Sequence, residues 1–548
     1  MPTLHTVLRR ACLVVVAGFV ALAAVIPASA QGRHHARLSR DIAERLQKRI
    51  EAPAEIIVSG ASDAIDQLAA RYGARLKKRL QGGGAVLEAT GGQIDAIAQD
   101  PDVDHVAGNP IVHRMTAEMT EATGADQVWA GLDRLPGFDG SGITIAVIDS
   151  GVTASGPLAD RVVVSRDFVD RRDLGRDAYG HGTHVAGIIA ENGRDGYAGM
   201  APGAWIANLR VLGPDGSGKT DAVIDAIDWA IQNRWRYNIR IINLSLGHPV
   251  LESYLDDPLC QAAQRAVDAG ILVVAAAGNF GKTEDGRPIV GGIVAPGNTP
   301  SVLTVGAINT RGTAKRSDDV MATYSSRGPT PIDGVLKPEL VAPGKRIVAA
   351  SAPGSLLATS YPERVVPGRS KASYIELSGT SMSTAVVAGA AALLLDARPQ
   401  LTPSQVKAVL QVTASKVPGA GLIEAGAGSL NVAAAVALVG DPWNPPVTRI
   451  DGELVTANGL LFVSVQMSNG RRLTDLLGRD LAVIAKSATI VWSDTIVWSD
   501  TIVWSDTIVW SDLRLYGATI VWSDTIVWSD TIVWSDTIVW SDTIVWSD

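Results

Sequence analysis

The sequence predicts an α/β protein: a parallel sheet with helices on both faces, preceded by a small α+β unit and followed by a β-prone hexapeptide repeat tail. Three observations carry this. Continuous apolar runs (ITIAVID, WIANLRVL, IRIINLSL, ILVVAAAG, SVLTVGAI) recur between residues 143 and 308, as parallel strands buried on both faces do. Helical patterns (GTHVAGIIAEN, DAVIDAIDWAIQNRW, CQAAQRAVDAG) separate the first four of them, and such alternation means a sheet wrapped by helices. From Thr489 the chain is TIVWSD, four copies to Asp512 and, after LRLYGA, five more to Asp548.

Taken in order, residues 1–30 read as an export signal. Arg9-Arg10, an apolar run over residues 11–26 and Ala28-Ser29-Ala30 make the three-part pattern of a secretory leader, with cleavage expected after Ala30. The run is short and closes on Pro27 and small residues, which favours cleavage over a membrane anchor. No later segment is apolar enough to span a bilayer, so the mature chain is expected to have no transmembrane segment and to be secreted, with attachment to the cell surface left open. Of the two cysteines, Cys12 leaves with the leader. Cys260, within a helical pattern, then has no internal disulfide partner and reads as a small buried hydrophobe. Without the nine aspartates of the TIVWSD copies the formal charge of −8 becomes +1, and nothing argues for a nucleic-acid partner.

Residues 31 to about 50 are basic and helix-prone. Residues 53–114 then read as strand (AEIIVSG), helix (SDAIDQLAARYGA), strand (GGAVLEAT), helix (GGQIDAIAQDPDV) and a final extended piece, a small βαββαβ-like unit. Residues 115–125 (MTAEMTEATGA) are small and polar and read as an exposed linker.

In open parallel sheets, sites form at the carboxyl ends of strands. Asp149 ends ITIAVID, Ser245 ends IRIINLS and Asn279 follows ILVVAAAG, while His181 opens a helical pattern. Ser381 lies in a short polar turn (SGTSM) that feeds a proline-free apolar helix. There, unpaired backbone N–H groups and the positive end of the helix dipole favour negative charge. A plain serine cap is the bland reading of that position. Taken together, however, these groups fit acyl chemistry. A serine hydroxyl needs a base, neutral imidazole suits near-neutral pH, and a buried carboxylate fixes its tautomer. The Asn279 amide is placed to donate to an oxyanion opposite the Ser381 N–H.

The chain order Asp, His, Ser, with the words AVIDSGV, GHGTHVAG, INLSLG, VVAAAGN, SSRGPT, KPELVAPG and SGTSMS, resembles the subtilase (subtilisin-like) serine peptidase family. The likeness spans about residues 123–439. It implies a subtilisin-like fold over residues 119–440, with Asp149, His181 and Ser381 as the triad and Asn279 as oxyanion donor. It also implies that Ser245, Leu246 and Gly247 pair with the substrate backbone as an added strand. Ala276, Ala277 and Gly278 would line the pocket before the cleaved bond, where small side chains leave room for a large apolar group. The family usually has a proline just after the nucleophile where this chain has Ala385. No catalytic group is lost with it, so activity is expected to survive.

By the same resemblance, residues 31–118 are a propeptide whose unit at residues 53–114 assists folding and inhibits the enzyme until self-cleavage; a permanent accessory domain is the alternative. Protein or peptide substrates are expected and a monomer is expected. The chemistry requires no cofactor; structural calcium, common in the family, has no ligand loop assigned here. Residues 441–488 read as a linker or small β extension with a hairpin-like stretch, GELVTANGLLFVSVQMSNG. For the repeats at residues 489–548, three readings stand: a stacked β-solenoid, an adhesive tail with aspartate gatekeepers, or a recent expansion without selected function. An inactive subtilase-like scaffold, or a surface protein acting through this tail, is the rival to a peptidase.

Overall fold

The structure, a computed structural model, describes residues 35–60, 65–80, 84–109, 117–132, 134–170, 176–194, 196–368, 373–440 and 447–463, with short strands between 489 and 539. The expected export leader, the segment 110–116 and LRLYGA lie outside the described residues. The chain divides into two compact units, residues 1–112 and 113–548.

The first unit is a five-stranded sheet of β1 (Arg37–Leu38), β2 (Ala54–Gly60), β3 (Arg75–Arg79), β4 (Ala85–Ala89) and β5 (Val103–Gly108), in the order β1-β5-β2-β4-β3. Helices α1 (Arg40–Gln47), α2 (Ile65–Tyr72) and α3 (Gly91–Ala98) accompany it. The core gathers Ile56, Val58, Leu87, Ile94, Ile97 and Val106. Strand β3, RLKKR, has no apolar alternation to announce it. All five residues are exposed on an edge strand that pairs only with β4, where charge protects an unpaired edge.

The second unit holds an eight-stranded sheet. Its strands are β6 (Thr144–Asp149), β7 (Val162–Asp167), β8 (Trp205–Arg210), β9 (Ile239–Leu244), β10 (Leu272–Ala276), β11 (Leu303–Asn309), β12 (Val320–Met321) and β13 (Leu340–Pro343). The order is β12-β11-β10-β9-β6-β8-β7, with β13 on β11, and every pairing but β11–β12 is parallel. Strand β6 shows why such strands read as unbroken apolar runs. Ile145 and Val147 enter one core layer and Ala146 and Ile148 the other, so both faces of the pleat are covered.

Helices α6 (Thr220–Tyr237) and α7 (Pro258–Asp268) cover one face. α6 buries Val223, Ala226, Ile227 and Ala230, one helical stripe. Asp257 caps α7 by accepting from the N–H groups of Leu259 and Cys260. Cys260 is buried and free, and burial pushes its thiol up to about 12. Helices α5 (His181–Ala190) and α8 (Thr380–Ala397) fill the other face. α8 buries 15 of its 18 residues. It is apolar all round because it is a core helix; contrary to the expectation that no segment after the leader is apolar enough to span a bilayer, it passes that test by length and composition, and 83% of the stretch is buried inside the protein. A small sheet of β14 (Ile347–Ala350), β15 (Val365–Pro367) and β16 (Ser373–Leu377) delivers the chain to α8. Just before β13, the carboxylate of Glu339 accepts from Lys337 Nζ at 2.5 Å and from Lys407 Nζ, on helix α9 (Pro403–Val412), at 2.6 Å. All three side chains are buried.

Two expectations need correction. Residues 117–123 are not an exposed linker but helix α4 (Ala117–Thr123), with Met119, Thr120, Ala122 and Thr123 buried. Small residues there permit close packing, which a polar composition conceals. The expected hairpin of residues 452–470 is also displaced over its described part, which ends at residue 463. β18 (Glu453–Thr456) pairs instead with β17 (Val447–Ile450). The turn between them is Asp451-Gly452, both at positive φ (45° and 79°), which suits a tight hairpin. β19 (Leu460–Val463) pairs in parallel with β20 (Thr489–Trp492), the first repeat.

Further along the tail, β21 (Val497–Trp498) pairs antiparallel with β22 (Thr501–Trp504). β22, β24 (Thr519–Trp522) and β26 (Thr537–Val539) then run parallel, with Thr501 opposite Thr519 and Thr519 opposite Thr537. β23 (Ile508–Val509) pairs likewise with β25 (Ile526–Val527). Each of these parallel steps spans three hexapeptides, the register that a coil of three repeats produces.

Candidate active site

The parallel sheet brings the polar residues singled out in the sequence to one end. Asp149 is the last residue of β6, Ser245 follows β9 directly, and Asn279 lies three residues beyond β10. His181 is the first residue of α5 and Ser381 the second of α8.

Asp149 is fully buried and its carboxylate faces His181 Nδ1, at 2.8 Å from Oδ1 and 2.9 Å from Oδ2. The N–H of Ser150 donates to Oδ1 at 2.7 Å. Gly182 permits this approach, because a Cβ there would stand 2.2 Å from the Gly151 carbonyl oxygen and 3.1 Å from Asp149 Cβ. Burial works to lower the pKa of His181, yet the charge and hydrogen bond of Asp149, with the charge of Asp177, carry it above the ordinary histidine value. Three residues on, His184 is wholly buried; one ring nitrogen, Nε2, lies 3.1 Å from the Ile347 carbonyl and 3.0 Å from that of Ile375. Burial pushes its pKa down to about 3, so it is neutral.

Ser381 is not hydrogen-bonded to His181 in this state. Its Oγ donates to the Ser245 carbonyl at 3.0 Å, and Ser245 Oγ donates to the Ser381 carbonyl at 2.9 Å, clasping the two segments. Asn279 is exposed. Its Oδ1 accepts from Thr380 N at 3.0 Å and Thr380 Oγ1 at 3.1 Å. That leaves Nδ2 as the group it can offer to a ligand. Thr380 was not read from the sequence; its adjacency to Ser381 was the available signal.

A cleft of about 400 Å³ is lined by Tyr179, His181, Lys219, Ser245, Leu246 and Gly247, among others. Ala276, Ala277 and Gly278 are buried and do not line this cleft. Ala385 is buried inside unbroken helix α8, so its departure from the family proline leaves the helix whole. No group of three or more metal-ligating side chains occurs among the described residues.

The family model described as "Subtilase family" matches residues 140–430. Over 304 residues the chain is 37% identical to the serine protease AprX of Bacillus subtilis, covering 53% of this chain and 65% of that protein. It is 34% identical over 344 residues to subtilisin E of Bacillus subtilis, covering 62% and 77% respectively. The chain thus spans just under two thirds of the first relative and more of the second. Among solved structures, sphericase is 31% identical, with a TM-score of 0.45 over 56% of this chain and 97% of that one.

Proposed function

The chain belongs to the subtilase family and carries a serine-type endopeptidase domain, and from that premise we propose that it hydrolyses protein or peptide substrates through Ser381, His181 and Asp149. The observation that carries the reading is the buried Asp149 carboxylate on His181 Nδ1. It holds the proton on Nδ1, so that Nε2 is the basic nitrogen.

In this mechanism Ser381 Oγ leaves the Ser245 carbonyl and gives its proton to His181 Nε2 as it attacks the scissile carbonyl. The oxyanion takes hydrogen bonds from the Ser381 N–H at the start of α8 and from Asn279 Nδ2, oriented through Oδ1 by Thr380. His181 then protonates the departing amine, and the acyl-enzyme forms. Water, losing its proton to the same nitrogen, releases the product acid and restores Ser381. Ser245, Leu246 and Gly247 along the cleft hold the substrate backbone as an added strand. No cofactor takes part.

In the same proposal, residues 1–30 direct export and residues 31–118 are a propeptide removed by the enzyme itself, making a secreted, monomeric peptidase from a zymogen. The placing of Ala276, Ala277 and Gly278 in the specificity pocket has no support in the cleft described above. The Ser381–Ser245 clasp favours a second reading, an inactive scaffold. Intact masses of the secreted wild type and Ser381→Ala decide between them. The wild type is expected to be shorter at its N-terminus by the propeptide and the variant to retain it; equal masses that keep residues 53–114 refute self-processing.

A further inference from the structure

We propose that Asp177 is a positioning residue for His181, fixing the helix that carries the imidazole against the strand end that carries Asp149; this rests on the peptidase reading above. The need for it starts with Gly180. That residue occupies the N-cap of α5 with φ of 103°, and a Cβ there would meet Ser355 Oγ at 2.5 Å. Only glycine fits, and glycine has no side chain with which to cap. The first N–H groups of the helix, which lack intrahelical acceptors, must find oxygen elsewhere.

Asp177 supplies it from three residues upstream, itself buried. Its Oδ1 accepts from Gly180 N at 2.7 Å and from Ser150 Oγ at 2.8 Å. Its Oδ2 accepts from Thr183 N at 2.8 Å and from Thr183 Oγ1 at 2.7 Å. Ser150 Oγ in turn accepts from Gly182 N at 3.0 Å, and Thr183 Oγ1 from Thr153 N at 3.0 Å. One carboxylate therefore joins residues on both sides of His181 to Ser150, the neighbour of Asp149, and through Thr183 to Thr153.

The arrangement demands a carboxylate. Each oxygen receives one backbone N–H and one hydroxyl. A hydroxyl can rotate to accept, but a backbone N–H cannot. In Asp177→Asn, either amide orientation turns the NH₂ group toward a buried backbone N–H, of Gly180 or of Thr183. Burial pushes the Asp177 carboxyl above the ordinary carboxylate value, and the four donors, which favour its charged form, oppose that shift. His181 is faced by Asp149 and Asp177, with Tyr179 beside it and neutral His184 a turn further along.

The test uses the full chain with Asp177→Asn, Asp177→Ala and the gentler Ser150→Ala, each assayed per titrated active site. Misplacing the imidazole by a fraction of an ångström is expected to lower kcat about tenfold or more in Asp177→Asn, with KM within about twofold. Loss of the Asp177 charge is expected to move the acid limb of kcat/KM to lower pH. A lower melting temperature with kcat per site and acid limb unchanged overturns the proposal, since that is a stability role alone. Should the Asp177 variants not fold, Ser150→Ala decides: about a threefold fall in kcat supports it, and an unchanged kcat overturns it. A readout without turnover separates this from the peptidase reading. In a Ser381→Ala background, the low-field NMR signal of the His181 Nδ1 proton is expected to shift or broaden on Asp177→Asn. An inactive wild type would refute the peptidase reading, whereas an unmoved signal refutes this one.

Discussion

Replacing Asp149 by Asn changes one atom in the middle of the site, and the structure dictates which way the amide turns. Ser150 N donates to Oδ1 at 2.7 Å, so the asparagine oxygen stays there and its NH₂ occupies the Oδ2 position, 2.9 Å from His181 Nδ1. A donor now stands against Nδ1 beside the oxygen that stays 2.8 Å away. The Nδ1 proton loses one of its two acceptors, and wherever Nδ1 accepts from the NH₂ instead, the imidazole carries its proton on Nε2, where it cannot accept one from Ser381. Wrong-tautomer triads of this kind lose about 10⁴ in kcat, equivalent to ~5.5 kcal/mol of transition-state stabilisation. The proton balance shifts as well. In the wild type, His181 titrates above the ordinary histidine value, so activity, which needs neutral imidazole, is lost as pH falls through a point above about 6.5. Without the Asp149 charge, burial acts with less opposition and the limb moves to lower pH. A chromogenic peptide assay from pH 5 to 9, normalised to folded protein by circular dichroism, measures both effects. Activity within tenfold of the wild type, with the acid limb unmoved, would refute the reasoning.

Three further outcomes follow from other residues. Asn279→Ala removes the side-chain donor opposite the Ser381 N–H and is expected to lower kcat by about 10²–10³ with KM little changed, a range itself measured on a subtilisin; a loss under threefold contradicts the assignment. Glu339→Gln leaves two buried ammonium groups, Lys337 and Lys407, without their shared carboxylate, an expected loss of about 3–5 kcal/mol. Because burial brings Lys337 down to about 7, the loss should be greatest below neutral pH, where that lysine stays charged; urea unfolding of the Ser381→Ala protein at pH 6 and 8 checks it. His184 has a folded pKa of about 3 against about 6.5 unfolded. Between those values the unfolded chain holds the extra proton, so stability is lost as pH falls from 6.5, by about 1.4 kcal/mol per unit. His184→Gln should show a correspondingly shallower dependence in acid unfolding, and an equal slope would refute the assignment.

Much of the architecture was legible because its cause is local. ITIAVID and ILVVAAAG read as buried parallel strands since both faces of each meet core. The run after Ser381 read as a helix because no proline or alternation interrupts it. What escaped has causes that sequence patterns do not register. RLKKR is a strand through its neighbour β4, not its own pattern. Residues 117–123 look polar yet pack through small side chains. The repeat partner of Leu460–Val463 displaced an expected hairpin, while Asp451-Gly452 made another. Within the site, the Asp149–His181 contact followed from strand ends and motif order. The Ser381–Ser245 clasp did not, because a rotamer leaves no trace in residue order. Asp177 carries no signal in the sequence because its partners, Ser150, Gly180 and Thr183, converge on it only in three dimensions.

The central claim is that His181 makes Ser381 a nucleophile. Its most direct test is a fluorophosphonate reaction followed by peptide mass mapping, on the wild type and on His181→Ala. The expected result is one phosphonyl group on Ser381 in the wild type, with labelling at least about 10³-fold slower in the variant. A wild type that stays unlabelled, or a variant labelled at Ser381 at the same rate, would contradict it.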